Sequence, residues 1–555
     1  PSQAVAGEPF RVHIRLEDEW GNPASGHRGA VVVSGASSSP STRSLGEKDG
    51  GVGWLEGVKL DKPGTCWLHA REERLGLTAM SNPIVCQAAP SGLKPFWGDP
   101  HGQSEEAMGL GSVSDYFRFG RDVIALDFGS NQGNDFDVDA EGWKKIRAAA
   151  REMNEPGRFV TFLGYEWSGN VAGGGDHNVL YRGDDGPLLH SGHWCVEADG
   201  VAPAGKDEGN DRYPIDELYR DFAGREDVML IPHVGGRHGN FDYHDPRLER
   251  LVEIYSSWGL FEWFLEDALR RGLKVGFVGA SDDHKGRPGS SPPGAGVFGV
   301  RGGLTCVLAS EKTREALWDA LKARRCYATS GARIVMEFDA DGHAMGEEFA
   351  SAQPRFRCRA IGTAPLERLE LRRNRHVIHV VEPLTLTAPT SRFVRVAWSG
   401  LRNKARYARQ VWDGHVQVRH GRIVSAKGWA FDTALERVVS WDEKRAEWRS
   451  ATAGDSDGII LELEETPDAT LIFQAAPRTF ELRLRDLAEK PMLFLAGGVN
   501  LAVEVRRWPG ESALPMELTL DHTDTYKPAG CAAYYVKAVQ ADGNVAYTSP
   551  VYVRS

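Results

Sequence analysis

The chain lacks any apolar run that could cross a membrane. A transmembrane helix needs about 20 mostly apolar residues in succession, and no stretch of the 555 residues approaches that length. No signal-like apolar segment follows Pro1 either, although a leader removed earlier would leave no trace. We therefore expect a protein without a membrane partner, located in the cytoplasm.

An excess of positive charge is also missing. The 66 lysines and arginines are outnumbered by 77 aspartates and glutamates, so the formal net charge is −11. Binding to a nucleic-acid backbone requires concentrated positive charge, and we expect no nucleic-acid partner. A small anionic substrate remains compatible with this balance, because such a ligand responds to the local field.

Cysteine is scarce and has no regular spacing. The seven cysteines are scattered, odd in number and include no CxxC pair. Such a set is typical of a reduced intracellular protein and not of a disulfide framework. One bridge, between Cys66 and Cys86 on neighbouring predicted strands, is the alternative that remains open.

Length and hydrophobic patterning predict three domains, since one domain usually has about 100–200 residues. Residues 1–90 show the period of two that is typical of half-buried strands, as in the segment 10–16, and we expect an immunoglobulin-like β-sandwich. Residues 336–555 return to the same period, with a hairpin whose turn lies at 542–544. They predict a second β-sandwich.

Residues 91–335 alternate short apolar runs with helical patterns. The runs at 159–163, 228–231, 251–254 and 274–278 have the length of buried strands. Between them, apolar residues at 215, 218, 219 and 222 recur at helical spacing. Strands that alternate with helices predict the α/β class and favour a (β/α) barrel or a close relative.

Six tryptophans of the C-terminal region leave two uses open. Their large apolar rings either fill the core of the sandwich, which is the more economical reading, or line a platform for a sugar. They are Trp398, Trp412, Trp429, Trp441, Trp448 and Trp508.

Potential metal ligands follow the ends of the apolar runs in the central region. In a barrel the carboxyl ends of the strands converge on one mouth, and imidazoles and carboxylates together suit zinc, manganese or iron. Any single one could be a surface histidine or a buried ion-pair partner, but the shared position favours a metal centre. The candidates are His101, Glu166, His177, His233, Asp282 and His284.

Several segments of the same region resemble one enzyme superfamily. Phe96-Trp-Gly-Asp-Pro-His-Gly-Gln-Ser is similar to the opening Gly-Asp-Leu-His-x-His motif of the polymerase-and-histidinol-phosphatase (PHP) superfamily. More closely it resembles a bacterial branch catalogued as a domain of unknown function, as do segments 116–122, 162–168, 252–259 and 281–289. The resemblance covers most of residues 95–340 and part of the C-terminal tail.

The resemblance implies a distorted, TIM-like (β/α)7 barrel that holds up to three metals and hydrolyses phosphoesters. Carried over to this chain, one metal would be held by His101, Gln103, Glu166 and Asp282. A second would be held by His177 and His233, with Glu166 as the bridge between the two metals.

The chain departs from the family pattern at the third metal. Gln103 stands where the motif has its second histidine, and no histidine occurs between 102 and 176. Because a carboxamide oxygen is a weaker ligand than an imidazole, we expect two well-occupied metals and a third site that is weak or absent. His238 is the nearby residue that could restore it. His284 would complete a partial site or act as a general acid on the leaving group.

Together these features predict a divalent-metal-dependent hydrolase in which a metal-bridging hydroxide attacks a phosphoester. Lys285, Arg287 and Arg237 are adjacent to the ligands in sequence, and we expect them to bind the anionic group of a small-molecule substrate. Their alternative use is as solvent-exposed loop charges. Two other functions stay open: a C–N or carboxylic-ester hydrolase with the same nucleophile, and a binding protein that has lost catalysis.

Overall fold

The computed structural model describes residues 1–36, 40–90, 92–192, 209–289, 298–386, 388–405, 408–488, 490–526 and 530–554. These parts of the chain are mostly sheet, with few helices. None of the described helices is long and apolar enough to span a bilayer.

The N-terminal region consists of three small sheets around one apolar core. The alternating segment 10–16 is confirmed as a strand, and Cys66 and Cys86 lie on paired strands as free thiols. The sheet orders are β4-β3-β7-β8, β1-β9-β6 and β2-β5. The strands are β1 (Gln3–Val5), β2 (Phe10–Arg15), β3 (Gly29–Ser34), β4 (Ser41–Leu45), β5 (Val52–Val58), β6 (Gly64–Cys66), β7 (His69–Glu72), β8 (Leu77–Met80) and β9 (Ile84–Gln87).

The central region contains the five α-helices of the described chain. All four predicted apolar runs contain strands, and the helical spacing after 214 is confirmed by α3. The elements are β10 (Lys94–Asp99), α1 (Val113–Arg118), β11 (Phe128–Ser130), α2 (Ala140–Glu152), β12 (Val160–Ser168), β13 (Asp176–Tyr181), α3 (Ile215–Asp221), β14 (Val228–Pro232), β15 (Leu251–Ser256), β16 (Gly259–Leu260), α4 (Glu262–Arg270), β17 (Gly276–Gly279), β18 (Leu304–Ala309), α5 (Arg314–Lys322) and β19 (Cys326–Thr329). A π-helical turn, Phe119–Val123, extends α1.

The central strands depart from a uniform parallel sheet. Strands β10, β11 and β12 are parallel, but β13 is antiparallel to both β12 and β14, and β18 is antiparallel to β10. Strands β15 and β17 are parallel to each other and belong to a separate three-stranded sheet with β16. Because β13 is reversed, it begins at the edge where β12 ends, and this matters for the site described below.

The C-terminal region is built of strands, and the hairpin with its turn at 542–544 is confirmed by β37 and β38. The strands are β20 (Val335–Ala340), β21 (His343–Ala344), β22 (Glu348–Ala350), β23 (Arg355–Ile361), β24 (Leu366–Arg373), β25 (His376–Val381), β26 (Phe393–Leu401), β27 (Gln410–Val411), β28 (Gly414–Trp429), β29 (Arg437–Trp441), β30 (Arg445–Arg449), β31 (Ala451–Thr452), β32 (Ser456–Ala475), β33 (Arg478–Arg483), β34 (Met492–Gly497), β35 (Val499–Arg507), β36 (Glu517–Thr523), β37 (Cys531–Gln540), β38 (Val545–Thr548) and β39 (Val551–Arg554).

One sheet passes through the domain boundary that we predict at 335. Strand β19 of the central region pairs with β38, and the sheet continues through β37, β24 and β25. The rest of the region contains an eight-stranded antiparallel sheet around β28 and β32, a four-stranded sheet of order β21-β20-β23-β36, and the pair β27-β31. Within the eight-stranded sheet Trp398 and Trp448 stack at 4.6 Å in the core, so these rings serve packing, whereas Trp441 is exposed.

Candidate metal centre

Four strands bring candidate ligands to one edge of the central region. Glu166 lies near the end of β12, and His233 directly follows β14. His101 and Asp282 come two and three residues after the ends of β10 and β17. All four side chains are almost completely buried, because the carboxyl ends of these strands point toward the same place.

The four side chains are within contact distance of one another. His101 Nε2 is 3.2 Å from Asp282 Oδ1 and 3.5 Å from Glu166 Oε2. His233 Nε2 is 3.5 Å from Glu166 Oε1, and the two imidazole rings are 4.5 Å apart between centroids. Glu166 therefore turns one carboxylate oxygen to each histidine.

The donor atoms of this cluster fit a metal ion. Among the described residues, His101 Nε2 and both ring nitrogens of His233 are buried without a hydrogen-bond partner of good geometry. Leaving buried polar atoms unpaired is costly, whereas imidazole nitrogens and carboxylate oxygens are good ligands for transition metals. Two groups have ligand atoms within 4.8 Å of one another: His101, His233 and Asp282; and Glu166, Asp176 and His233.

The electrostatics of the cluster also favour a cation. Burial alone lowers the pKa of His101, but Asp282 and Glu253 outweigh burial and raise that pKa well above its ordinary value. Burial raises the pKa of Glu166, yet His101 and His233 outweigh it and hold that pKa well below its usual range. The carboxylates thus attract positive charge, and a metal ion supplies it without protonating the histidines.

His177 is not brought to the cluster. Successive residues of a strand point to opposite faces, and on β13 the residue that faces the cluster is Asp176. His177 points the other way, where its Nε2 is 3.3 Å from Glu249 Oε1. Asp176, directly before it, was missed by the sequence reasoning; strand alternation along 176–181 was the signal that could have found it.

Glu253 is the second site residue that the sequence reasoning missed. It lies inside β15, and its carboxylate is 3.1 Å from His101 Nδ1. An acceptor at Nδ1 fixes the tautomer and leaves Nε2 free to bind a metal. The signal was present, since Glu253 is a single carboxylate within an otherwise apolar strand run, where a buried charge requires a partner.

Gln103 and His238 bear on the third metal. Gln103 Nε2 donates to Glu166 Oε2 at 3.1 Å, so Gln103 contacts the cluster through its amide nitrogen. Its Oε1 is buried without a partner among the described residues. His238 instead pairs with the Gly239 carbonyl and packs against Trp263, and it joins neither ligand group.

The segment after β17 is held in place by hydrogen bonds to one carboxylate of its own and to one at the end of β10. Asp283 Oδ2 accepts the backbone N–H groups of Lys285 at 2.8 Å and Arg287 at 2.7 Å. Asp99, at the end of β10, accepts the N–H groups of Ser281 at 2.9 Å and Gly289 at 2.6 Å. These bonds hold the segment that carries Asp282 and His284 against the cluster.

His284 and Asp282 form a pair at the border of the cluster. His284 Nε2 is 3.2 Å from Asp282 Oδ1, and the imidazole is the most exposed of the candidate ligands. Burial lowers the pKa of His284, but Asp282 outweighs it and raises that pKa. Asp282 itself adopts a φ of 48°, a left-handed conformation that aspartate tolerates better than most residues.

The three predicted anion-binding residues differ in their surroundings. Arg237 Nε donates to Asp176 Oδ1 at 2.7 Å, and its backbone N–H donates to Asp176 Oδ2 at the same distance. It therefore holds a candidate ligand in place. Lys285 and Arg287 are half-buried, and burial lowers the pKa of Lys285. The neighbouring segments 193–208 and 290–297 lie outside the described residues.

The space beside the group of Glu166, Asp176 and His233 depends on Gly235. A Cβ atom at this position would lie 2.9 Å from His233 Nε2 and 3.2 Å from Asp176 Oδ2. Both atoms belong to the ligand group, so a larger residue would crowd the place where an ion would bind.

The chain is similar to proteins of undescribed activity. A family described as "Protein of unknown function (DUF3604)" matches residues 101–191 and 295–364. Uncharacterized proteins of Chlamydia pneumoniae and Chlamydia trachomatis are 26% and 25% identical over 69% of this chain. The chain covers 64% of the length of each of these relatives.

One solved structure is also similar. It is a two-domain protein from Bacteroides vulgatus that contains a predicted PHP-like metal-dependent phosphoesterase. It shares 11% identity with this chain, with a TM-score of 0.29, over 71% of this chain and 97% of its own.

Proposed function

We propose that the chain is a divalent-metal-dependent hydrolase of phosphoesters. The observation that carries the proposal is the buried cluster of His101, His233, Glu166 and Asp282, whose imidazole nitrogens face carboxylates at 3.2–3.5 Å. The resemblance of the segments around His101, Glu166 and Asp282 to PHP motifs supports phosphoesters as the substrate class. It also supports a distorted seven-stranded barrel, whereas the two flanking β-sandwich regions are supported by the period-two patterning of residues 1–90 and 336–555.

The residues divide into three roles. His101, His233, Glu166, Asp176 and Asp282 would hold two metals, of zinc, manganese or iron. Such ions supply a Lewis acid and lower the pKa of coordinated water toward neutrality. Glu253 and Arg237 are positioning residues, because they fix His101 and Asp176 by direct contacts.

His284 and Lys285 are the residues that would act on the substrate. His284 lies at the border of the cluster, where its Nε2 is 3.2 Å from Asp282 Oδ1 and its imidazole is the most exposed of the candidate ligands. An imidazolium can protonate a leaving-group oxygen. Lys285, which follows it, would bind a phosphoryl oxygen as a point charge.

A C–N or carboxylic-ester hydrolase is the second candidate. The observation that favours it is the ion pair between Arg237 and Asp176. Because Arg237 is already paired, fewer cations are left to bind an anionic substrate than the sequence predicts. Neutral carbonyl substrates need no such clamp, and the same metals activate water toward carbonyls.

The test combines metal content with substrate turnover on the full chain. We expect reconstituted protein to retain about two transition-metal ions per chain and to hydrolyse chromogenic phosphate esters. His233→Ala and Asp282→Asn should each lower both quantities at least tenfold, whereas His376→Ala, an exposed histidine on β25, should change neither. Turnover of esters or amides without phosphoesters would favour the second candidate. Absence of bound metal would overturn both.

A further inference from the structure

We propose that the C-terminal region has a separate site for Ca²⁺, formed by Asp432, Asp455 and Asp457. Oxygen atoms of the three carboxylates lie within 4.8 Å of one another. Asp432 lies between β28 and β29, Asp455 lies between β31 and β32, and Asp457 lies in β32. The site is remote in sequence from the histidine cluster and contains no histidine.

Two buried carboxylate oxygens of this cluster lack a hydrogen-bond partner within the part of the chain that the structure describes. Among the described residues, Asp455 Oδ2 and Asp457 Oδ1 are buried without a hydrogen-bond partner, and Asp457 is completely inaccessible. Neither residue forms an ion pair within the described chain. An unpaired buried carboxylate is strongly unfavourable, so these oxygens require a cation or a proton.

The remaining oxygens are held in place by hydrogen bonds. The Ala453 N–H donates to Asp455 Oδ1 at 2.6 Å. The Ser450 hydroxyl donates to Asp457 Oδ2, and Trp398 Nε1 in turn donates to that hydroxyl at 2.8 Å. Asp455 and Asp457 thus each have one oxygen fixed by a hydrogen bond and one buried oxygen without a partner among the described residues.

Glu436 adds a fourth carboxylate beside the three. Its Oε2 accepts the N–H groups of Asp432 at 2.9 Å and Thr433 at 3.2 Å, and its Oε1 accepts the Ala451 N–H at 3.1 Å. Burial and the neighbouring Asp432 raise the pKa of Glu436 to about 7. Burial and neighbouring carboxylates also raise the pKa values of Asp455 and Asp457 well above the ordinary range.

Among the described residues, Arg301 is the cation that pairs with this cluster, and it does not neutralise the cluster's charge. Its Nε is 3.9 Å from Asp432 Oδ1, at the limit of an ion pair, and the side chain is half exposed. Its hydrogen bonds go to the backbone carbonyls of Asp432 at 3.2 Å and Phe431 at 3.4 Å. One distant guanidinium leaves most of the negative charge uncompensated.

The donor set and its dimensions fit Ca²⁺. Carboxylate oxygens without imidazole or thiolate favour hard cations. Ca²⁺ takes 6–8 oxygens at about 2.3–2.6 Å, so opposite ligands are roughly 4.6–5.2 Å apart, and three carboxylate oxygens within 4.8 Å of one another can share one such ion. Asp432 and Asp455 also line a cavity of about 590 Å³ between the central and C-terminal regions, from which an ion and its water ligands can enter.

Calcium titration of the full chain tests this site. Protein treated with EDTA should bind one Ca²⁺ per chain by calorimetry, and saturating Ca²⁺ should raise the unfolding midpoint by about 5 °C. The double variant Asp455→Asn/Asp457→Asn should lose this binding at least tenfold, and in EDTA it should be more stable than the wild type because carboxylate repulsion is removed. Asp468→Asn, an exposed position on β32, should behave like the wild type.

Two outcomes would overturn the proposal. Wild-type protein that neither binds Ca²⁺ nor changes its unfolding midpoint would show that the carboxyl groups share protons instead. Equal binding by the double variant would place the ion elsewhere. Transition-metal content should be unchanged in the double variant, so a failure here is distinguishable from a failure of the histidine cluster.

Discussion

At the scale of single residues, the alternation of side chains along β13 places the neighbours Asp176 and His177 in different environments. Asp176 faces the histidine cluster and pairs with Arg237, whereas His177 faces Glu249. Glu249 also accepts hydrogen bonds from Tyr219 and His244. One position thus faces the candidate metal site, and the next belongs to a polar network on the opposite face.

This difference predicts different effects for substitutions at Asp176 and His177. Asp176→Asn should reduce the bound transition metal severalfold, because a carboxamide oxygen is a weak ligand. His177→Gln should retain the metal but lower the free energy of unfolding by about 1–3 kcal/mol, because buried Glu249 loses a partner. Elemental analysis and urea unfolding measure the two effects. Loss of metal in His177→Gln alone would contradict the assignment.

At the scale of elements, the segment from Ser281 to Gly289 determines where the side chains of Asp282 and His284 lie. Asp283 accepts two backbone N–H groups of this segment, and Asp99 attaches both of its ends to β10. Burial raises the pKa of Asp99 to about 6, although its hydrogen bonds oppose the increase. The segment is therefore held by two carboxylates that accept its backbone N–H groups.

Removing the Asp283 carboxylate should loosen this segment. We expect Asp283→Ala to weaken metal binding by roughly 10–100-fold, the usual effect of losing a group that orients ligands. Asp283→Asn keeps one acceptor oxygen and should weaken it less. Competition with a chromophoric chelator measures the affinity. An affinity for Asp283→Ala equal to that of the wild type would show that the segment holds its form without these bonds.

At the scale of the whole molecule, α4 is attached to the C-terminal strands by a buried carboxylate. Glu262 Oε1 is 2.6 Å from Lys537 Nζ on β37 and accepts the Tyr547 hydroxyl on β38 at 2.5 Å. Burial raises the pKa of Glu262, but Lys537 and Arg372 outweigh burial and lower it to about 2. The contact therefore joins the central and C-terminal regions through an ionised group.

Stability should depend on this group and on pH. Glu262→Gln should lower the free energy of unfolding at pH 7 by roughly 2–4 kcal/mol, since Lys537 remains buried without its partner. A pKa below the unfolded value of about 4.5 stabilises the fold above that pH, and this contribution is lost as the pH falls toward about 2. The difference between wild type and variant should thus shrink at pH 3.

A residue on the same helix provides the control. Burial and neighbouring Glu262 raise the pKa of Glu266, so Glu266→Gln should not destabilise the protein at pH 7. Urea unfolding of both variants at pH 7 and pH 3 distinguishes the two positions. A pH-independent difference for Glu262→Gln would show that packing, and not charge, is what the variant loses.

The sequence by itself determined which strands exist and which residues end them. Buried strands read as apolar runs because both faces exclude water, and the polar residues at or just beyond their ends are exceptions that need a partner. For this reason His101, Glu166, His233 and Asp282 could be predicted together. The hairpin near the C-terminus and the strand at 10–16 were equally predictable, since both depend on local periodicity and turn residues.

The tertiary structure decided what depends on distant contacts. The reversal of β13 brings Asp176 instead of His177 to the cluster, and the pairing of β15 with β17 brings Glu253 to His101. The passage of one sheet from β19 to β38 and the meeting of Asp432 with Asp455 are also invisible in local patterns. Strand direction and pairing between remote segments are set by the burial of whole surfaces, which no short window of sequence contains.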